Sequence, residues 1–127
     1  MRLKAIATVK NGICERIDDW DKVTSELVFD KRYVKGLYRL THFRHVWVLF
    51  GFHRERQTLM RLHPRRDASI PIVGVFATRS PTRPNKIGLT KVRLLSVKGN
   101  IVKVKGLDAF DGTPVYDIKP VEEEIDY

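Results

Sequence analysis

The sequence predicts an all-β fold, a small barrel or sandwich of about seven or eight short strands with one short helix. Two observations predict it. Apolar and polar residues alternate with a period of two in short runs, and those runs are bounded by Gly, Pro, Asn or Asp. Strand–helix alternation is absent, as are a G-x-G-x-x-G and a Walker loop, which sets aside a Rossmann or P-loop enzyme. The 127 residues suit a single domain, 1–127, with one real core.

Leu3 to Val9 reads as the first strand, with Ala5, Ala7 and Val9 on one face. Lys10 to Asp21 is irregular and leaves Trp20 in a loop, either folded back onto the core or offered as a stacking surface. Glu26 to Phe29 is a short strand. Asp30 to Leu37 predicts the helix, capped by Asp30 and ended by Gly36. The continuous apolar run Val46 to Phe50 predicts a strand buried on both faces, flanked by His45 and His53. Gln57 to Leu62 and Ile72 to Thr78 read as further strands. Gly88 to Val97 and Ile101 to Leu107 form a hairpin through Lys98-Gly99-Asn100, with Thr90, Val92, Leu94 and Ser96 on one face. Asp108 to Pro114 is a tight acidic turn, and Val115 to Lys119 is the last strand. The acidic tail Glu122 to Asp126 is expected to be solvated and frayed.

Composition narrows the function. Lys and Arg number 24 against 15 Asp and Glu, a net charge of +9, which suits a polyanion such as nucleic acid. No apolar run approaches the roughly 18 residues of a membrane span, and no signal-peptide block opens the chain. The lone Cys14 permits neither an internal disulfide nor a cysteine metal cluster, so the expectation is a cytoplasmic protein without metal, with Cys14 at least half-buried.

The stretch GVFATRSPTRPNKIGLT, Gly74 to Thr90, organises the chain. A strand delivers Thr78 and Arg79 to a loop stiffened by Pro81 and Pro84. That loop can hold a carboxylate or phosphate, or it is simply a basic surface turn. The Asp108 to Asp111 turn can hold a cation or hydroxyls, or it is plain Asp-Gly turn chemistry. A ligand with both kinds of group would suit the pair, and S-adenosylmethionine is one.

Gly74 to Thr90, followed by GLDAFDGTPVYDIKP, resembles the signature of the TrmO family (TsaA-like or YaeB-like proteins). Thr41 to Arg54, THFRHVWVLFGFHR, resembles the family's GFSHLWLLFxFH strand, and RLHPRR its HPR segment. The resemblance runs from about Leu3 to Pro120. It implies a small all-β barrel, a homodimer, and S-adenosylmethionine bound at or near the subunit interface. The implied activity is methylation, on tRNA, of the N6 nitrogen of N6-threonylcarbamoyladenosine just 3′ of the anticodon. By motif, the implied cofactor contacts are His53, Arg54, Arg79, Leu89, Asp108, Ala109, Phe110 and Asp111. His53 and Asp111 are equally candidates for a proton acceptor, and no catalytic residue is assigned.

The chain departs from the family in places. The His-Ser-Pro and Pro-Arg-Gln patterns after the first strand are missing, and Trp20 is the simplest replacement contact for the adenine. Lys86 stands where the family has proline, and Val121 where it has an aromatic. The C-terminal extension of larger bacterial members, implicated in tRNA handling, does not follow, so tRNA is expected to contact the barrel. Arg65, Arg66, Arg83 and Lys86 are the expected phosphate contacts, the alternative being solvated surface cations.

Overall fold

The computed structural model describes residues 1–126. Its strands are β1 (Ala7–Lys10), β2 (Thr24–Phe29), β3 (His45–Gly51), β4 (Arg61–Leu62), β5 (Val73–Gly74), β6 (Ile87–Lys98), β7 (Ile101–Lys105) and β8 (Pro114–Pro120). Six of them close an antiparallel barrel in the order β1-β2-β7-β6-β3-β8, while β4 and β5 pair as a separate two-stranded sheet. Closure leaves no barrel edge unpaired, so a chain rich in short alternating strands avoids edge-to-edge association.

Alternation decides what fills the barrel. Val9, Leu27, Phe29, Val46, Val48, Phe50, Val92, Val102, Val104 and Val115 point inward and are buried. Phe50 reaches across to β6, where a Cβ on Gly88 would stand 2.5 Å from its ring, so only glycine fits there. Val46 to Phe50 is therefore not buried on both faces. Val46, Val48 and Phe50 fill the lumen, while Trp47 and Leu49 lie outside and are half-buried. A barrel has one interior, so a continuous apolar run still obeys the two-residue period.

Several other expectations are corrected. β1 begins at Ala7, and Ala5 is exposed. Gln57 to Leu62 shrinks to the two residues of β4, and Ile72 to Thr78 to the two of β5. Beyond Gly74 the chain turns into a 3-10 helix, Val75–Ala77, closed by the Thr78 hydroxyl on the Val75 carbonyl at 2.7 Å. Alternation there had no partner strand to lie against. The predicted helix is a 3-10 helix, Lys31–Leu37, started by the Asp30 carboxylate, which accepts from the Arg32 N–H at 3.0 Å. It runs past Gly36 to Leu37. On β6 the register shifts between Leu94 and Ser96, so the inward face passes from Leu94 to Val97 rather than to Ser96. The tail is not wholly frayed: Glu122 accepts from the Ile125 and Asp126 N–H groups in a turn. Cys14 is exposed.

The short sheet anchors a lobe beside the barrel. Met60 accepts from the Val75 N–H at 2.9 Å, and Thr82 from the Leu59 N–H at 2.8 Å. No helix among the described residues is long and apolar enough to cross a membrane.

Candidate cofactor site

The site is assembled where β3 leaves the barrel and the β7–β8 turn comes back. Gly51 ends β3, and the next residues turn away as the Phe52 N–H donates to the Lys86 carbonyl at 2.9 Å. His53 and Arg54 are thereby exposed at the rim. The Arg54 guanidinium lies 4.5 Å from the centroid of the Phe110 ring and donates to the Cys14 carbonyl. Trp20 meets the same ring edge-on, with centroids 5.8 Å apart and planes at 69°. Phe110 is thus held between a cation and an aromatic, contacts that favour one fixed ring position. Trp20 packs on the site turn rather than into the barrel.

The Asp108–Asp111 turn has two halves with different duties. Asp108 is exposed and, among the described residues, accepts only the Thr90 hydroxyl, at 2.6 Å, so acceptor positions remain open on its carboxylate. Asp111 is tied to the loop after β1 through one oxygen. One of its oxygens accepts the Asn11 N–H at 2.9 Å and the Gly12 N–H at 3.0 Å. Those two donors, Gly12 first, hold its carboxyl below the usual carboxylate range. Asn11 completes the clasp: its amide donates to the Ala109 carbonyl at 2.9 Å and to the buried Ser25 hydroxyl at 3.0 Å. Asn11 and Ser25 were not singled out in the sequence. The signal that could have found Asn11 is its pairing with Gly12, whose φ of 72° marks a tight turn at the end of β1.

Ala109 is buried and contributes backbone. Gly112, at φ 86°, lies under His53: a Cβ there would stand 3.8 Å from the imidazole Nε2. Leu89 is 51% exposed on the outer face of β6, opposite Leu49.

The basic residues divide sharply. Arg79 is exposed and makes no hydrogen bond or ion pair among the described residues, and nothing in one chain joins it to the Asp108–Asp111 turn. Arg83 turns back on its own loop, donating to the Thr78 and Ser80 carbonyls at 3.0 and 3.1 Å. Lys86 uses all three of its protons: on the Gln57 carbonyl at 2.8 Å, the Thr58 hydroxyl at 3.0 Å and the Arg83 carbonyl at 2.7 Å. Lys86 fastens the proline loop to the 57–60 segment, while Arg83 braces the loop from within. Arg65 and Arg66 are exposed in left-handed backbone, with φ of 54° and 58°.

The residues fit the groups of S-adenosylmethionine. Arg54 has guanidinium protons free for a carboxylate, Asp108 has acceptor positions for an ammonium or hydroxyls, and the Trp20–Phe110 pair supplies aromatic surface. None of the candidate residues lines the two grooves beside the 3-10 helix at Lys31–Leu37. No cluster of three or more metal-binding side chains occurs among the described residues.

Comparison with known proteins gives the following. The family model described as the tRNA-methyltransferase O N-terminal domain matches residues 4–127. An Archaeoglobus fulgidus protein named S-adenosyl-L-methionine-binding protein is 38% identical over 131 residues, covering 99% of this chain and 93% of its own. A mouse protein named tRNA (adenine(37)-N6)-methyltransferase is 45% identical over 94 residues, but these are 72% of this chain and 21% of that protein. A crystal structure of TrmO from Pseudomonas aeruginosa superposes with a TM-score of 0.79 at 30% identity, over 99% of this chain and 58% of that one. The chain therefore spans nearly all of the archaeal relative and about a fifth of the mammalian one.

Proposed function

Because the chain belongs to the tRNA-methyltransferase O N-terminal domain family, we propose that it binds S-adenosylmethionine at the barrel rim and methylates tRNA, its acceptor being the N6 nitrogen of N6-threonylcarbamoyladenosine beside the anticodon. The observation that carries this reading is the meeting of Arg54 with Phe110 beside the open Asp108 carboxylate, residues drawn from two motifs more than fifty positions apart. Bound S-adenosylmethionine would supply an electrophilic methyl group on its sulfonium. The chain's part is to hold and orient. Arg54 faces a carboxylate, Asp108 an ammonium or ribose hydroxyls, and Phe110 keeps Arg54 aimed.

Transfer forms an N–C bond as the S–C bond breaks, and the acceptor nitrogen must give up its proton. That nitrogen is a poor nucleophile because it is carbamoylated, so placement and proton removal govern the rate. Asp111 has one oxygen engaged by the Asn11 and Gly12 N–H groups and the other without a hydrogen bond among the described residues, so it stays a candidate acceptor. His53, exposed over Gly112, is the other candidate.

The site residues are spread over the rim, and Arg79 makes no bond to the Phe110 cluster among the described residues. A second copy of the chain, related by a two-fold axis, would bring such residues together. The exposed apolar side chains Met60, Ile72, Phe76 and Ile87, on the lobe and the strand that leaves it, suit that contact.

A second reading is a cofactor-binding barrel without transfer. The archaeal relative matched over nearly its whole length is named only for binding S-adenosylmethionine. One assay separates the two: protein, methyl-labelled S-adenosylmethionine, and tRNA with or without the threonylcarbamoyl group. Label in the modified tRNA alone supports the first reading, and label in both tRNAs points to a different acceptor. Label held by the protein but never transferred supports the second, and no retained label defeats both.

A further inference from the structure

We propose that the outer wall of β7, β6 and β3 is a track for the phosphate backbone of RNA, contacted by Arg93, Lys105 and Lys91 around Trp47. This rests on the tRNA reading above and adds where the RNA lies. The register makes the case. Arg93 on β6 stands directly opposite Lys105 on β7, both exposed. Like charges at directly opposed positions destabilise a sheet, and neither cation forms an ion pair among the described residues, although the exposed Asp21 beside Gly106 attracts Lys105 from a longer range. In the neighbouring rung Trp47 lies between Lys91 on β6 and Lys119 on β8.

Lys119 has a partner, Asp117, at 3.1 Å. Lys91, Arg93, Lys103 and Lys105 form no ion pair among the described residues. Of the acids beside these cations, Glu26 is opposed by Lys103 on one side and Lys10 on the other, and Asp21 lies by Gly106, next to Lys105. A sheet face that keeps unpaired cations in register, with a flat aromatic among them, is complementary to a phosphate chain with unstacked bases.

The wall also leads to the site. Residues two apart on a strand share a face and are about 7 Å from each other. Along β6 that face reads Arg93, Lys91, Leu89, Ile87, turning from basic to apolar at the candidate cofactor contact Leu89. Phosphates held on Arg93 and Lys91 would therefore present the next nucleotides to the rim. This assigns the affinity to residues outside the proline loop, where Lys86 has all three of its protons engaged.

The test is anisotropy of labelled unmodified tRNA across a salt series. It compares wild type, Arg93→Gln/Lys105→Gln, Lys91→Gln alone, and a control that removes the same charge from the 3-10 helix, Lys31→Gln/Lys35→Gln. The wall pair should bind about tenfold more weakly, and its log–log salt slope should flatten by roughly 0.7–0.9 per lost phosphate contact. Its melting temperature should be equal or higher, because a like-charge pair is gone. Lys91→Gln should flatten the slope by about half as much, and the control should stay within about twofold of wild type. Equal affinity and parallel salt lines for wild type and both wall variants overturn the track, as does an equal loss in the control. In either case tRNA binding by wild type leaves the tRNA reading standing. A wild type that binds no tRNA defeats both.

Discussion

Asp111 shows how a single residue can be legible in type and not in its bonding. Its Asp-Gly setting and family motif both point to ligand contact, and in the structure one of its oxygens also clasps the Asn11 and Gly12 N–H groups. The bonding partners lie 100 and 99 positions away, a distance over which no spacing rule operates. Arg54 and Phe110 were legible because each sits inside a contiguous motif, but their contact, and Trp20's on the same ring, were not. The clasp makes a pH prediction. Because Asp111 has its folded-state pKa depressed from the ordinary 3.8, its contribution is complete above that value and is lost as pH falls through the lower folded one. Asp111→Ala should lower the melting temperature at pH 7, and the gap from wild type should close below about pH 4. A gap that is constant from pH 7 to pH 3 would show that the charge does not hold the loop.

At the scale of elements, strands with two partners were read well and those with one weak partner were not. β6 and β7 carry clear alternation and a Gly99 turn at φ 59°, and their pairing follows. Val73 to Thr78 alternates just as clearly but finds only Arg61 and Leu62 to pair with. Periodicity is a local property, whereas a strand needs a neighbour. The loop beyond was read as a presenter of cations. In the structure Lys86 fastens that loop to the 57–60 segment, and one Nη of Arg83 bonds within it. Lys86→Met should therefore lower the melting temperature, since it strips donors from two carbonyls and a hydroxyl, while leaving the salt slope of tRNA binding unchanged. A flattened slope with unaltered melting would restore Lys86 as a phosphate contact. Gly88→Ala tests the packing of the barrel. The new methyl meets the Phe50 ring at 2.5 Å and the Phe52 ring at 2.9 Å, and should cost about 1–3 kcal/mol in urea unfolding. A neutral substitution would mean that Phe50 does not fill the lumen as described.

The whole molecule is a closed barrel with a basic wall, an apolar lobe and a rim between them. The closed barrel was foreseeable from short alternating strands only as one of two options, because a sandwich has the same pattern; closure is a matter of which strands meet last. The charge of +9 was legible, but the pairing of Arg93 with Lys105 depends on register. Exposed Phe76, at 71%, and its apolar neighbours predict a two-fold dimer, visible by light scattering at micromolar concentration. Phe76→Glu should yield monomers with weaker S-adenosylmethionine binding, and a monomeric wild type with full affinity would remove the second copy from the site. The most direct measurement is calorimetric titration of S-adenosylmethionine into wild type and Arg54→Ala. The account predicts one site per chain in wild type and a loss of roughly 1.5–3 kcal/mol in the variant, the scale of a charge-assisted hydrogen bond. Equal affinity in the two proteins, or no binding by wild type, would contradict it.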